Sequence, residues 1–260
     1  MKANEYRDNK ALFVLLKSEP GCGKSIAASS WLEKGPMYFF DFDGKIKAVI
    51  NFWKKRNPSF LDKLEFDHFE TYNEAVEKLE SFIKDGHPYT GGIVWDTLTT
   101  SVDSLLVQVT DVKGGGNKKV GGISVNEIED YNAESSGLTR LVQHSKFKLH
   151  KIHNTNFFML AHVVRTEEKN LKTQGVTVSR SLVTAGKKVA AKLPGYFDEI
   201  WHAYCDKDMN SGNVRYMITT QNVGDDFART SCDLPKLMDV TYPKTLYQII
   251  NGELNVTPLK

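Results

Sequence analysis

Residues 18–25 have the types and spacing of a phosphate-binding loop. They read Ser18-Glu19-Pro20-Gly21-Cys22-Gly23-Lys24-Ser25, and Ile26 follows. Two glycines let the backbone wrap closely around an anion, and the helix expected after them would point its positive end at it. Lys24 would reach the β- and γ-phosphates of a nucleotide, and the Ser25 hydroxyl would bind Mg²⁺. We therefore expect residues 19–26 to hold a nucleotide, although Ser18 stands where the pattern usually has glycine.

A carboxylate stands at the end of the apolar run Gly92–Asp96, with Thr97 after it. Such a run predicts a buried strand, in which a charge needs compensation. A metal ion supplies that compensation, and an acid on a neighbouring strand commonly helps to hold Mg²⁺ beside a phosphate-binding loop. We therefore expect Asp96 to hold the metal. The alternative is that Asp96 caps the next helix, and the two roles are compatible.

Two further acids, Asp41 and Asp43, lie at the end of the apolar run Met37–Asp41. Residues two apart in a strand point to the same side, so both carboxylates should face one site. Hydrolysis needs a group that orients or deprotonates water, and Asp43 is our candidate because it lies farther out. The alternative is that Asp43 and Gly44 only form a turn.

A histidine follows the fourth apolar run, residues 157–161. At the tip of a strand, His162 would donate to the terminal phosphate, and the chain leads directly from it into a basic stretch. This position suits a residue that reports the phosphate to a loop. The alternative is a hydrogen-bonded histidine without nucleotide contact. The catalytic candidates are thus Lys24, Asp43, Asp96 and His162.

The elements that must position these residues alternate in type. Buried strand-like runs lie at 12–16, 37–41, 92–96 and 157–161, and helical patterns follow at about 24–33, 73–84, 99–112 and 125–153. Buried runs separated by helices predict an α/β fold with a mostly parallel central sheet flanked by helices. We expect Asn73 to cap the second helix and an interruption near Gly137 in the last.

The later part of the chain has shorter, more polar strands. Residues 113–122 are rich in Gly and Lys, and we expect them to form a mobile loop. Strands are expected at 176–183, 199–205 and 214–221, and turn residues at 208–212 should join the last two into an antiparallel hairpin. We expect a single domain, with its core over residues 10–235 and a tail over 236–260.

Composition argues against several classes of protein. The chain has 260 residues, 40% hydrophobic and 25% charged, as in an ordinary globular domain. Cys22, Cys205 and Cys232 lie far apart in sequence, which argues against a disulfide framework or a zinc site and favours a reducing compartment. The apolar run at 11–16 is short for a secretory signal, and no run is long enough to span a membrane. We expect a cytoplasmic protein without a membrane partner.

Charge is distributed unevenly along the chain. Residues 140–192 contain eleven Lys or Arg and two acids, a local charge of +9, whereas the whole chain carries +2. Such an asymmetry favours a polyanionic partner. The alternative is a solvated helix face with basic loops.

Together these features resemble the RecA-like ATPase core, over about residues 10–235. More narrowly, the chain resembles the compact phage-encoded RecA-like ATPases that assist single-strand annealing and recombination. The residues that carry the resemblance are the Gly-x-Gly-Lys-Ser run at 21–25, the acidic tip of the second strand, Asp96-Thr97, Ala161-His162 and the late run Leu193-Pro-Gly-Tyr-Phe-Asp-Glu199.

The resemblance implies that ATP and Mg²⁺ are the ligands, with Lys24 on the phosphates and Ser25 and Asp96 on the metal. Asp43 stands where these enzymes usually have glutamate, and His162 stands where they have a glutamine sensor. The resemblance also implies a ring or filament with nucleotide near the subunit interface, where a cation from a neighbour contacts the γ-phosphate. Candidates for that cation are Arg215, Arg229, Lys187 and Lys188.

Two loops face DNA in such enzymes, and here they correspond to residues 113–122 and about 165–188. Both are basic, as phosphate binding requires, but they lack the aromatic residues that favour base stacking. The candidate DNA-binding residues are Lys113, Lys118, Lys119, Arg165, Lys169, Lys172, Arg180, Lys187 and Lys188. A single-strand binding protein is a further expected partner, and the host cytoplasm is the expected location.

The leading hypothesis is a Mg²⁺-dependent ATPase that binds single-stranded DNA and acts in phage recombination, annealing or replication. A P-loop kinase for a nucleoside or another small molecule is an alternative, but it requires an arginine-rich lid that is not evident. A non-catalytic, nucleotide-gated scaffold, such as a helicase loader or an assembly adaptor, is the third hypothesis. The departures at Asp43 and His162 keep it open.

Overall fold

The computed structural model describes residues 11–112, 119–120, 123–124, 130–169, 176–183, 187–207, 212–222 and 227–253. In chain order its strands are β1 (Phe13–Ser18), β2 (Met37–Asp41), β3 (Leu64–His68), β4 (Gly92–Asp96), β5 (Lys119–Val120), β6 (Ile123–Ser124), β7 (Phe157–Lys169), β8 (Val176–Leu182), β9 (Glu199–Lys207), β10 (Val214–Thr219) and β11 (Leu237–Asp239). Its α-helices are α1 (Lys24–Ser29), α2 (Ile46–Arg56), α3 (Tyr72–Asp85), α4 (Leu98–Val112), α5 (Asp130–His144), α6 (Lys151–His153), α7 (Lys187–Lys192) and α8 (Leu246–Ile250). The other helical segments are the 3₁₀ helices Ser30–Glu33, Pro58–Lys63 and Leu193–Tyr196 and the π-helical turn Ser145–His150.

Most of these strands form one mixed sheet. Its order is β3-β2-β4-β7-β1-β9-β10-β11, and β8 pairs with the outer half of β7. Within this order, the six strands β3, β2, β4, β7, β1 and β9 run parallel to one another. Strands β10 and β11 then continue the sheet in antiparallel fashion. The predicted α/β class, the mostly parallel sheet and the late antiparallel hairpin are therefore confirmed. Because the parallel strands share one direction, the carboxyl ends of β1, β2, β4 and β7 lie at the same edge.

Helices cover both faces of the sheet because its central strands are apolar on both sides. All residues of β1, β2 and β4 are buried. Successive residues of a strand point to opposite faces. Phe13 and Leu15 accordingly join the apolar cluster of α3, α4 and α5, while Val14 and Leu16 join that of α1, α2 and α8. The two layers hold the sheet between them and fix the loops at its carboxyl edge.

Strand β7 is longer than the sequence suggested. We predicted a strand over 157–161 followed by a DNA-facing loop over about 165–188. Instead β7 continues to Lys169 and pairs antiparallel with β8, with Val163 opposite Leu182. The paired segments of both strands contain β-branched residues, and Val163 and Leu182 are buried against the core, which favours the extended pairing. Much of the predicted loop is therefore a hairpin, which we call the β7–β8 arm.

Two predictions about helices were wrong in detail. Helix α3 is capped by Thr71 rather than Asn73, because the Thr71 hydroxyl accepts the Glu74 N–H at 3.3 Å. Helix α5 passes through Gly137 without interruption. The absence of a side chain there lets α4 come close, since a Cβ at residue 137 would lie 2.9 Å from a Leu105 methyl group. The irregularity comes later, at the π-helical turn.

Several elements were not anticipated, among them α2, β3, α7, β11 and α8. Residues 208–211 of the predicted turn and most of the predicted loop at 113–122 lie outside the described residues, although Lys119–Val120 pairs with Ile123–Ser124. Residues 125–129 of the predicted long helix also lie outside. No described helix has the length and the apolar character needed to cross a membrane.

Candidate functional site

The loop between β1 and α1 has a tightly wrapped backbone. Gly21 and Gly23 adopt φ angles of 82° and 75°, in the left-handed region that favours glycine. Gly23 directly precedes the first turn of α1, so the free amide groups of that turn are directed into the loop. A Cβ on Gly23 would lie 3.0 Å from the Tyr216 ring. We refer to residues 18–25 as the P-loop.

Lys24 folds back over the P-loop. Its ammonium group donates to the Ser18 hydroxyl at 2.8 Å and to the Glu19 carbonyl oxygen at 3.4 Å. Burial lowers the pKa of Lys24 to about 8, and the nearby Asp96 carboxylate opposes that shift. Ser18 remains within β1. The departure from glycine at this position therefore does not distort the strand, and its side chain gives the lysine a partner.

Ser25 and Asp96 are in direct contact. The Ser25 hydroxyl donates to Asp96 Oδ2 at 2.6 Å, so a hydroxyl and a carboxylate stand side by side at the mouth of the P-loop. Burial raises the pKa of Asp96 to about 6, although the hydrogen bond from Ser25 acts in the opposite direction. The helix-capping role that we considered for Asp96 is filled by Thr97, whose hydroxyl accepts the Thr100 N–H at 3.3 Å.

The two acids at the end of β2 have different surroundings. Asp41 accepts the backbone N–H groups at the start of α2, at 3.1 and 3.4 Å, so it serves that helix. Asp43 accepts hydrogen bonds from Lys45 Nζ at 2.9 Å and from the Thr100 hydroxyl. The nearby His162 ring, followed by the hydrogen bonds from Thr100 and Lys45, holds the pKa of Asp43 well below its usual range despite burial. Asp43 is therefore an ionised, weakly basic carboxylate.

His162 connects the P-loop to Asp43. It lies opposite Ser18 in the register of β7 with β1. Its Nδ1 is 3.2 Å from Lys24 Nζ, and its Nε2 is 3.8 Å from Asp43 Oδ2. A protonated ammonium group can only donate, so we assign Nδ1 as the acceptor and place the ring proton on Nε2, facing Asp43. Lys24, Asp43, Asp96 and His162 thus lie together at the carboxyl edge of the sheet.

Two participants in this group were missed by sequence reasoning. Thr100 and Lys45 both donate to Asp43, from α4 and from the residue before α2. A sequence signal existed for the first, because Thr97 and Thr100 are three residues apart and therefore lie on one side of the first helical turn. The Asp43–Lys45 pair is local in sequence, but nothing in its spacing indicated an ion pair.

A cavity of about 310 Å³ lies beside the P-loop, between α1, α2 and the C-terminal strands. It extends from Ile26 to Tyr216, Arg56, Phe52 and Tyr242. The guanidinium carbon of Arg56 is 4.0 Å from the centroid of the Phe52 ring and 4.8 Å from that of Tyr242. The volume is within the range of small-molecule pockets. No motif pointed to this cavity because its lining comes from widely separated segments.

The predicted DNA-binding residues are only partly located. Arg165 is exposed on β7, and Arg180 lies opposite it on β8. For Arg180, Lys119, Lys169, Lys187 and Lys188 the structure describes only the backbone. Lys113, Lys118 and Lys172 lie outside the described residues.

Two of the four cations proposed to act on a neighbouring subunit have partners within this chain. Arg215 Nη2 is 3.1 Å from an Asp206 carboxylate oxygen on the adjacent strand. The Arg229 guanidinium group donates to the Phe197 carbonyl oxygen. Arg229 therefore stabilises the segment that enters β9, whereas Arg215 forms an ion pair close to the connection between β9 and β10, where β9 ends and β10 begins.

Comparison with known proteins gives one family. A family model described as an AAA domain matches residues 10–232, a range that contains the P-loop, Asp43, Asp96 and His162. No curated protein matches the chain. The match covers most of the chain and agrees with a P-loop placed at the carboxyl edge of a mostly parallel sheet. The chain belongs to the AAA domain family of P-loop ATPases.

Proposed function

We propose that the chain is a Mg²⁺-dependent ATPase. The observation that carries the proposal is the 2.6 Å contact between the Ser25 hydroxyl and Asp96 Oδ2 at the mouth of a wrapped P-loop. Mg²⁺ binds oxygen ligands and is usually held by one or two protein groups together with phosphates and water. No cluster of three or more His, Cys, Asp or Glu suited to a metal occurs among the described residues. Ser25 and Asp96, completed by nucleotide phosphates, therefore fit a Mg²⁺ site.

The cavity beside the P-loop supports a nucleoside triphosphate, rather than free phosphate, as the ligand. Its lining includes Gly23 and Ile26, on either side of the phosphate-binding lysine in sequence. Planar bases stack on aromatic rings and on guanidinium groups, and this cavity offers Tyr216, Tyr242 and Arg56. We propose that the base lies in this cavity while the P-loop holds the phosphates.

Asp43 suits the orientation of water better than its deprotonation. The nearby His162 ring and the hydrogen bonds from Thr100 and Lys45 keep Asp43 ionised, so it can accept a hydrogen bond from water. The same bonds make it too weak a base to retain that proton near neutral pH. Bound Mg²⁺ would supply charge neutralisation at the phosphates. Lys24, already held at the P-loop by Ser18, would supply the second positive charge there.

We propose single-stranded DNA as the partner that nucleotide binding controls. The support is positional, because β7 runs without a break from His162 into the β7–β8 arm and lies within the basic stretch 140–192. A change in the contacts of His162 would therefore be passed along one strand to the arm. By its resemblance to RecA-like enzymes, we place the protein in phage recombination, annealing or replication, as a ring or filament of identical subunits.

A nucleotide-gated adaptor, such as a helicase loader, is the second candidate function. The observation that favours it is the pair of hydrogen bonds that Asp43 accepts from Thr100 and Lys45. These bonds lower the basicity of Asp43, and a weak base turns over a bound nucleotide slowly. Tight ATP binding with negligible hydrolysis, with or without DNA, would favour this function over an ATPase.

The test is an ATPase assay with and without single-stranded DNA, repeated over a salt series. We expect Mg²⁺-dependent hydrolysis that DNA stimulates, and a steep loss of DNA binding as salt rises, because phosphate contacts release counterions. Lys24→Ala should lower turnover by roughly 10²–10³-fold, since it removes a charge aimed at the transferring phosphate. Lys47→Ala, at an exposed position on α2, is the matched control.

Each part of the proposal has its own contrary result. An unchanged rate in Lys24→Ala would contradict the assignment of the P-loop. Hydrolysis without DNA stimulation, together with no DNA affinity at low salt, would remove the DNA part alone. A phosphorylated small molecule among the products would instead indicate a kinase.

A further inference from the structure

The β9–β10 hairpin packs a second cysteine against the outside of the P-loop. Cys205 on β9 lies directly opposite Tyr216 on β10, and residues paired in this way point to the same face of the sheet. Both reach the P-loop: the Tyr216 ring lies against Gly23, and Cys205 Sγ is 3.8 Å from the carbonyl oxygen of Gly21. That carbonyl belongs to the peptide bond that joins Gly21 to Cys22.

The thiols of Cys22 and Cys205 are therefore neighbours, although 183 positions separate them in sequence. Desolvation where its thiol meets the P-loop raises the pKa of Cys205 to about 11, and the Cys22 side chain acts in the same direction. Neither thiol is enclosed, since Cys205 is exposed and Cys22 is half-buried, and both are free. The third cysteine, Cys232, lies elsewhere, with its thiol 3.6 Å from a carboxylate oxygen of Glu199.

We propose that Cys22 and Cys205 are a reversible disulfide site that closes the P-loop to nucleotides when oxidised. Two S–H bonds break and one S–S bond forms. The two electrons and two protons pass to a peroxide, and hydrogen peroxide is thereby cleaved at its O–O bond to two molecules of water. A dithiol reductant supplies two electrons and two protons and restores both thiols.

The P-loop would close because two bonded sulfur atoms lie closer together than two sulfur atoms in non-bonded contact. Non-bonded heavy atoms of this size stay roughly 3.5 Å or more apart, whereas an S–S bond is about 2.05 Å long. Bond formation therefore brings the two sulfur atoms closer by roughly 1.5 Å. Because the backbone of Cys205 is held in the pairing of β9 with β10, we expect the P-loop at Cys22 to move toward β9. Amide groups of a phosphate-binding loop must converge on one anion, and N–H···O bonds weaken beyond about 3.2 Å. A displacement of this size takes the amides beside Cys22 out of reach.

The inference rests on the proposed function, because it assumes that the reduced P-loop binds ATP. The experiment uses the full chain with Cys232→Ser, so that only one disulfide can form within a molecule. Samples are treated with hydrogen peroxide or with dithiothreitol, mapped by peptide mass, and titrated with MgATP. The matched control adds Cys205→Ser, which replaces the partner thiol without changing a P-loop residue.

We expect a Cys22–Cys205 cross-linked peptide after peroxide, at least tenfold weaker binding of MgATP, and recovery in dithiothreitol. The Cys205→Ser control should bind MgATP equally before and after peroxide. Absence of the cross-linked peptide, or a mapped disulfide with unchanged affinity, would overturn the inference. Equal loss of affinity in the control would also overturn it, because the loss would then come from oxidation of Cys22 alone. A reduced sample that does not bind MgATP contradicts the proposed function instead, and peptide mapping still decides whether the pair forms.

Discussion

Replacing Asp96 by asparagine should stabilise the empty protein while removing its metal-dependent activity. Asp96 is 5% exposed, and burial raises its pKa from 3.8 to about 6. One pKa unit corresponds to about 1.4 kcal/mol, so ionisation of this carboxylate costs the folded state about 3 kcal/mol at neutral pH. Asparagine has nearly the same shape without the charge, and its oxygen can still accept the hydrogen bond from Ser25.

The pH dependence follows from the direction of the shift. The pKa of Asp96 is higher in the folded state than in the unfolded state, so the folded protein holds the proton more tightly. The stability that this provides is complete below about pH 4 and is lost as the pH rises through 6. Asp96→Asn lacks this titration. Its advantage in free energy of unfolding should therefore grow from near zero at pH 4 to about 3 kcal/mol at pH 8.

Chemical denaturation between pH 4 and pH 8, with a chelator and without nucleotide, measures this difference. Ser25→Ala should instead lower the free energy of unfolding at pH 8. The hydrogen bond from Ser25 lowers the pKa of Asp96 and so offsets part of the cost of its charge, and the substitution removes that bond. Mg²⁺ and ATP should stabilise wild type but not Asp96→Asn, since a ligand stabilises only the form that binds it. The reasoning is refuted if Asp96→Asn is no more stable than wild type at pH 8, or if the difference does not change with pH.

Three further substitutions test other parts of the site and fold. Asp43→Asn should lower ATP turnover by roughly 10²-fold or more with little change in MgATP affinity, because it removes the acceptor for water; equal losses in both would show that Asp43 serves binding. Tyr216→Ala should weaken ATP binding roughly tenfold but leave tripolyphosphate binding unchanged in titration calorimetry, and parallel losses would argue against stacking of the base. Gly92→Ala should lower the free energy of unfolding by about 2 kcal/mol or more in urea titrations, because Gly92 has a φ of 137° and its new Cβ would lie 2.7 Å from Asn156 O. Gly195→Ala, whose Cβ would meet nothing within 4 Å, is the control and should be nearly neutral.

The part of the site that sequence predicted well is the part built from neighbours in the chain. A buried run, two glycines, Lys24 and Ser25 lie within one strand–loop–helix unit, so their spacing already determines the wrapped loop. Asp96 was predictable for a related reason, since a charge that ends an apolar run must find compensation in the fold. Its contact with Ser25 then needed only the usual arrangement of parallel strands.

The contacts between strands could not be predicted in the same way, because they depend on the order of strands in the sheet. β7 lies between β1 and β4, which brings His162 opposite Ser18 and within 3.2 Å of Lys24 Nζ. The sequence around His162 is equally compatible with a sheet in which β4, rather than β7, lies next to β1. The different surroundings of Asp41 and Asp43 were hidden for the same reason. Only the start of α2, which sequence reasoning did not detect, shows why Asp41 faces a helix.

The C-terminal segment shows most clearly how long-range packing completes the site. We expected a tail after residue 235, yet β11 extends the sheet and α8 buries Leu246 and Ile249 in the core. Tyr242 from this segment lies beside Arg56, and together they form one wall of the cavity next to the P-loop. This segment lies beyond the residues matched by the family model, which end at 232. The loop that would hold the phosphates therefore lies within the matched region, whereas part of the wall that would contact the base comes from sequence outside it. Affinity for phosphates and preference among bases should accordingly respond to substitutions in different parts of the chain.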